Sequence, residues 1–211
     1  MGKMLPMFIE GTGVSLQVFF LTLFFSVPLG FLVAFGRMSR VRVVRESVGL
    51  YILIMRGTPL ILQIIFIAFA PYYIFSVTYD RFVAVIISFS INYAAYFAEI
   101  FRGGIESMPR GQYEAAACLG FTKTQTFFKI ILPQVIKRIL PASSNEVITL
   151  VKDTALAQVI GVTELFSLAQ KQMNNIGSIM PLFVAGVFYF VMNWAVSTGF
   201  NLSEKKLSYY R

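Results

Sequence analysis

The sequence predicts an all-α integral membrane protein with about five transmembrane helices, and three observations support this fold class. Of the 211 residues, 57% are hydrophobic and only 13% are charged, whereas soluble domains are about 45–50% apolar and about 25% charged. The hydrophobic residues are gathered in long segments, and roughly 20 such residues are enough for a helix to cross a bilayer core. Because that core holds no water to satisfy exposed peptide groups, we expect helices rather than an open sheet.

Five segments are predicted to cross the membrane. The first and the last contain no charged residue, the second contains Arg56-Gly57-Thr58-Pro59, the third contains Glu99, and the fourth is unusually polar. The approximate bounds of the predicted spans are 14–35, 48–75, 82–101, 135–162 and 179–201. With a cytoplasmic loop over 102–134, they make residues 1–211 a single transmembrane domain.

The distribution of lysine and arginine predicts the orientation. Thirteen of the 18 basic residues lie on one predicted side of the membrane. They are Arg37, Arg40, Arg42, Arg45, Arg102, Arg110, Lys123, Lys129, Lys137, Arg138, Lys205, Lys206 and Arg211. The opposite side holds only Lys3, Arg81 and Lys171. Since cytoplasmic loops carry the excess of basic residues, the N-terminus is predicted outside and the C-terminus in the cytoplasm. The net charge of +8 then reflects topology and lipid contact rather than nucleic-acid binding.

The cytoplasmic segment between the third and fourth spans is too long for a simple connection. Residues 112–119 are mostly good helix formers, and Pro109 lies just before them. Gly120 can adopt the left-handed conformation that ends a helix, and Pro133 can start the fourth span. The segment therefore predicts a short helix on the cytoplasmic side, placed so that a partner protein can push it.

This segment resembles the signature loop of the permease subunits of ABC importers. The matching residues are Glu114, Ala115, Ala116, Gly120, Ile130, Leu132 and Pro133. In that family the loop forms a coupling helix that sits in a groove of the ATPase subunit. Three other stretches resemble the polar-amino-acid branch of the family, namely 56–60, 98–105 and 151–156. The resemblance implies a fold like that of type I ABC importers and a permease subunit that imports polar amino acids.

The resemblance also implies which partners act with this chain. The sequence has no phosphate-binding loop of the form Gly-x-x-x-x-Gly-Lys-Ser/Thr, so ATP and Mg²⁺ are expected on a separate ATPase dimer and not on this chain. A second permease subunit, identical or homologous, and an extracytoplasmic solute-binding protein are expected in a bacterial cell membrane. With no histidine and one cysteine, no metal site is predicted. A secondary transporter, a membrane enzyme and a pore-forming subunit are the competing classes. The first and the last do not explain the loop around Glu114, and the sequence has no Gly-x-Ser-x-Gly motif that would support an enzyme.

The polar residues within the spans are the predicted substrate ligands. Glu146, Thr149 and Asp153 lie at positions i, i+3 and i+7, within roughly 60° of each other on a helix. They can receive an ammonium group, and Arg56, beside the Gly-Pro interruption, can bind a carboxylate through two hydrogen bonds. The predicted substrate-binding residues are Asp153, Glu146, Thr149, Arg56, Thr58 and Gln63. The predicted ATPase-coupling residues are Glu114, Ala115, Ala116 and Gly120.

Structural alternatives accompany these assignments. Asp153 can instead pair with Lys152 or Arg56 and close a contact between helices. Glu146 lies nearer the cytoplasmic end and can instead serve in a gate or a structural pair. Glu99 and Arg102, at i and i+3, are expected to form an internal ion pair rather than a substrate site.

Overall fold

A computed structural model describes residues 4–207, and all the regular structure in this range is helical. The helices are α1 (Met4–Arg37), α2 (Arg42–Gly57), α3 (Leu60–Phe75), α4 (Arg81–Glu106), α5 (Arg110–Cys118), the short α6 (Lys123–Gln125), a π-helical turn (Thr126–Ile131), α7 (Leu132–Asp153), a 3-10 helix (Thr154–Ile160), α8 (Leu165–Ile176) and α9 (Met180–Leu207). Lys3 and Arg211, which enter the predicted charge distribution, lie outside the described residues.

Three of the described helices, α1, α4 and α9, are long and apolar enough to cross a membrane. The bent pair of α2 and α3 adds a fourth crossing if the two helices form one span. Helix α7 covers most of the fourth predicted span and has 22 residues, but its charged residues make it more polar than the other three. By length and composition the described helices agree roughly with the prediction of about five.

The second predicted span, 48–75, is not one straight helix. It consists of α2 and α3, which meet at an angle of 110°. The reason is local: Pro59 has no amide hydrogen and disfavours a helical conformation for the preceding residue. Thr58 is accordingly extended, with φ −119° and ψ 147°. The break places the last turn of α2, including Arg56, beside α4.

Helix α4 is at the centre of the fold and packs closely on both sides. A Cβ atom at Gly30 of α1 would lie 2.8 Å from the Cβ atom of Phe97, so only glycine permits this approach. A Cβ atom at Gly104 would overlap Ile139 of α7. Small residues at helix crossings let backbones approach in membrane proteins. The tight packing fixes the two neighbouring helices against α4 and so determines which α4 side chains meet α7.

The region after the fourth predicted span contains a helix that the sequence analysis did not predict. Helix α8 begins after Glu164, which is fully buried. The Glu164 carboxylate accepts hydrogen bonds from the amides of Phe166 and Ser167, both at 2.7 Å, and from Tyr189 Oη at 3.0 Å. Because Tyr189 belongs to α9, this carboxylate caps α8 and also links it to α9. Helix α8 packs against α1 as well as α9.

Candidate functional site

Asp153 is the last residue of α7 and is half-buried against the middle of α4. Tyr93 of α4, itself buried, donates a hydrogen bond from Oη to Asp153 Oδ2 at 2.7 Å. Within residues 4–207, no ion pair joins Asp153 to Lys152 or Arg56. In this structure the carboxylate is therefore held by a neutral phenol and not by an ion pair.

The other two members of the predicted stripe lie further along α7. Glu146 is half-buried and lies close enough to Arg56 and Asp153 to be influenced by their charges. Thr149 is exposed between the two acids. The three side chains thus follow one side of α7, and Glu146 brings this stripe within electrostatic reach of the break in the second span.

Arg56 lies in the last turn of α2 and faces α4. Its guanidinium carbon is 5.3 Å from the centroid of the Tyr96 ring, and Nη1 is 3.7 Å from Glu99 Oε2. The Arg56 side chain keeps 44% of its surface exposed. It contributes to a cavity of about 450 Å³, together with Arg37, Tyr96 and Glu99. Arg56 is therefore oriented by contacts on α4 and remains accessible from this cavity.

Glu99 and Arg102 form the internal ion pair that the sequence predicted. Arg102 donates to both carboxylate oxygens of Glu99, from Nε at 3.0 Å and from Nη2 at 2.7 Å. Arg102 also contacts Glu106 at 2.5 Å. The prediction is confirmed, and Arg56 is an additional, more distant partner that the spacing on α4 did not reveal.

Gln63 and Thr58 stabilise the break between α2 and α3. The Gln63 side chain is buried, and its amide donates to Thr58 Oγ1 at 2.8 Å and to the Met55 carbonyl at 3.0 Å. Its own oxygen accepts a hydrogen bond from Asn92 at 2.9 Å. All the hydrogen bonds of Gln63 thus go to the protein, and they satisfy carbonyl groups that the helix end leaves free. In this structure both residues hold Arg56 in position and do not line its cavity.

Sequence reasoning did not single out Tyr93 as a partner of Asp153. The signal was available, because Tyr93, Tyr96 and Glu99 follow one another at a spacing of three residues on α4. The rings of Tyr93 and Tyr96 lie 6.3 Å apart between centroids. One ring therefore contacts the acid of α7 and the other contacts the arginine of α2, which makes α4 the element that brings the two predicted groups together.

The predicted short helix is present as α5, which begins two residues earlier than expected. Glu114 and Ala115 are exposed, whereas Ala116 is buried, with 1% of its surface accessible. Gly120 has a positive φ of 77°, and the amide of Phe121 donates to the Ala116 carbonyl at 3.0 Å. The prediction that Gly120 ends the helix in the left-handed conformation is confirmed. Helix α5 is anchored along one side and presents the other.

Comparison with known proteins identifies the family. Residues 26–209 match the family model described as the binding-protein-dependent transport system inner membrane component. The chain belongs to this family. The permease is 37% identical over 207 residues to the L-cystine transport system permease protein TcyB of Bacillus subtilis, a match that covers 97% of the permease and 88% of that relative. It is 36% identical over 200 residues to a putative glutamine transport system permease protein GlnP of Rickettsia felis, with 94% and 92% of the two chains covered.

Solved structures show the same relationship. The permease superposes with a TM-score of 0.89 and 34% identity on a chain of an amino acid ABC transporter crystallised with histidines, over 98% of the permease and 96% of that chain. A chain of the methionine transporter MetNI, 18% identical with a TM-score of 0.74, has the same fold. The permease is therefore a component of a binding-protein-dependent ABC importer of amino acids, as are the relatives it resembles. The alternatives of a secondary transporter, a membrane enzyme or a structural pore subunit are set aside.

Proposed function

We propose that this permease moves a polar amino acid past a site formed by Asp153, Glu146 and Thr149 on α7 and by Arg56 on α2. The observation that carries the proposal is that Asp153 and Arg56 each contact one of two neighbouring tyrosines of α4. Asp153 contacts Tyr93 and Arg56 contacts Tyr96. A zwitterion carries an ammonium and a carboxylate group, which are the counter-charges that Asp153 and Arg56 would each take.

The energetics of a membrane interior favour a ligand at these groups. An unpaired charge at the centre of a span costs about 2.5–3.5 kcal/mol on insertion scales. Asp153 has a neutral partner, and Arg56 is 3.7 Å from its acid, so both charges are incompletely compensated. In the proposal the substrate ammonium binds Asp153 with help from Glu146, and its carboxylate binds Arg56. Thr149 offers a hydroxyl to the substrate side chain, while Thr58 and Gln63 support Arg56 from behind.

We expect Arg56→Gln to remove the preference of the permease for a free carboxylate. The ligand is whichever common L-amino acid or L-cystine the wild-type complex takes up, and its carboxamide is the comparison compound. Both are measured by equilibrium binding to the complex of permease and ATPase in lipid nanodiscs. Wild type should bind the amino acid at least tenfold more tightly than the carboxamide, and the variant should bind the two alike, because glutamine cannot form a charged two-point contact with a carboxylate.

Arg45→Gln is the matched control, because Arg45 lies on the same helix but pairs with Glu46 at 3.3 Å. It should keep the wild-type preference. An Arg56→Gln variant that still discriminates between amino acid and carboxamide contradicts the proposed carboxylate site. If the wild-type complex takes up none of the tested amino acids, the proposed substrate class is wrong.

The proposed machinery includes partners that bind on both sides of the membrane. An ATPase dimer carrying ATP and Mg²⁺ engages Glu114, Ala115, Ala116 and Gly120 from the cytoplasm, and a solute-binding protein delivers substrate from outside. A second permease subunit, identical or homologous, completes the pathway. The exposed surface of α5 supports the proposed contact with the ATPase. Among its residues, Tyr113 keeps 38% and the following Leu119 keeps 75% of its surface accessible, as a helix awaiting a partner would.

The coupling proposal requires the N-terminus outside and the C-terminus in the bacterial cytoplasm. In a background with Cys118, the single cysteine, replaced by serine, a cysteine at Arg42 should resist an impermeant thiol reagent in intact cells. A cysteine at Lys171 should be labelled, and both should react after the cells are opened. Labelling at Arg42 from outside would place α5 on the wrong side and contradict this orientation.

A further inference from the structure

Glu99 is shared unequally between two arginines. Arg102 donates to both of its oxygens, at 3.0 and 2.7 Å. Arg56 Nη1 lies 3.7 Å from Oε2, the same oxygen that accepts the shorter of these two bonds. A separation of 3.7 Å is beyond the usual range of a hydrogen bond. Arg56 is therefore held to Glu99 by charge attraction alone, while Arg102 satisfies the acid.

Glu99 lies at the wall of the Arg56 cavity, so it can affect how Arg56 binds a carboxylate there. Glu99, Arg56 and Tyr96 all line the cavity of about 450 Å³. Both oxygens of a carboxylate that entered this cavity would be free to accept hydrogen bonds from Arg56. Such a carboxylate could therefore form the two-point contact that Glu99 does not make. Loss of the Arg56 contact would not leave the half-buried Glu99 unpaired, since Arg102 remains bound to both of its oxygens.

We propose that Glu99 is a resident carboxylate that occupies Arg56 while the site is empty and competes with the α-carboxylate of the substrate. This inference rests on the proposed function of Arg56 as the carboxylate ligand. The competition lowers the affinity of the site for the amino acid and favours release, which a transporter needs as much as binding. Glu99 is thus an affinity-determining residue that acts through Arg56.

The test is substrate binding by a Glu99→Gln variant of the permease and ATPase complex in lipid nanodiscs, with the amino acid that the wild type takes up and its carboxamide as probes. Binding of the amino acid should tighten about tenfold, because its carboxylate no longer competes with a charged group. Binding of the carboxamide should change less than twofold. Uptake turnover in proteoliposomes with binding protein should fall at saturating substrate, because release slows.

Glu106→Gln is the matched control, because Glu106 is the other acid bound by Arg102 and does not line the cavity. It should leave both affinities unchanged. If Glu99→Gln fails to assemble with the ATPase, Glu99→Asp replaces it. Aspartate keeps the charge but withdraws the carboxylate by one methylene group from Arg56, and should tighten amino-acid binding about threefold.

The outcomes separate this inference from the proposed function. If Arg56→Gln abolishes the preference for a free carboxylate but the assembled Glu99 variants bind the amino acid no more tightly than wild type, only the competition by Glu99 is disproved. If Arg56→Gln keeps the preference, the carboxylate site itself is wrong. Equal tightening of amino acid and carboxamide, or failure of both Glu99 variants to assemble, also overturns the inference and makes Glu99 a structural residue.

Discussion

Asp153→Asn is expected to lower amino-acid uptake at least tenfold while the permease still assembles with its ATPase. Asparagine has nearly the shape of aspartate, and its oxygen can still accept the hydrogen bond that Tyr93 donates at 2.7 Å. The substitution therefore removes the charge and keeps the contact between α4 and α7. A tenfold loss corresponds to about 1.4 kcal/mol, a modest value for an ammonium that loses its charged partner. The measurement is uptake by the reconstituted complex, compared with its ATPase rate.

Two further variants show whether the charge of Asp153 is the cause. Asp80→Asn makes the same chemical change at the start of α4, where the side chain caps the amides of Phe82 and Val83. Because asparagine is an equally good cap, this control should transport normally. Tyr93→Phe removes the hydrogen bond but keeps the acid, and should reduce uptake less than Asp153→Asn does. Normal uptake by Asp153→Asn, or an equal loss in Tyr93→Phe, would mean that Asp153 serves the packing of α7.

Gly120→Val is expected to abolish the stimulation of ATP hydrolysis by substrate-loaded binding protein. Gly120 has a φ of 77°, a conformation that a β-branched residue strongly disfavours. Because the residue closes the end of α5, the cost falls on a helix of only nine residues, and the helix end should unravel. The protein should still insert in the membrane, since the apolar spans are unchanged. ATPase activity is measured with and without loaded binding protein, and we expect the stimulated rate to fall to the basal one.

Gly177→Val is the matched control for this experiment. Gly177 also has a positive φ, 60°, ends α8, and has open space around the position of a Cβ atom, as Gly120 does. It therefore imposes a similar backbone strain at a different helix end, remote in sequence from α5. We expect normal stimulation in this variant. Full stimulation in Gly120→Val would show that coupling does not depend on the shape of α5, and loss in both variants would indicate general destabilisation.

The features predicted correctly from the sequence depend on residues close together in the chain. The left-handed Gly120 and the helix before it follow from the preferences of about ten consecutive residues. The ion pair of Glu99 and Arg102 follows from a spacing of one helical turn. The all-helical fold follows from the apolar composition, because peptide groups in a bilayer must pair within their own segment. The family resemblance is carried by short motifs of the same kind.

Contacts between distant residues were decided by tertiary structure. Tyr93 reaches Asp153 across 60 residues and Asn92 reaches Gln63 across 29. The sequence placed a break at Pro59, but its angle of 110° depends on how α2 and α3 pack against α4. Helical periodicity tells which residues share a face, yet it does not tell which neighbouring helix that face meets. The crossing at Gly104 fixes α7 against α4 and brings Asp153 to Tyr93. The break at Pro59 places Arg56 of α2 beside the adjacent Tyr96.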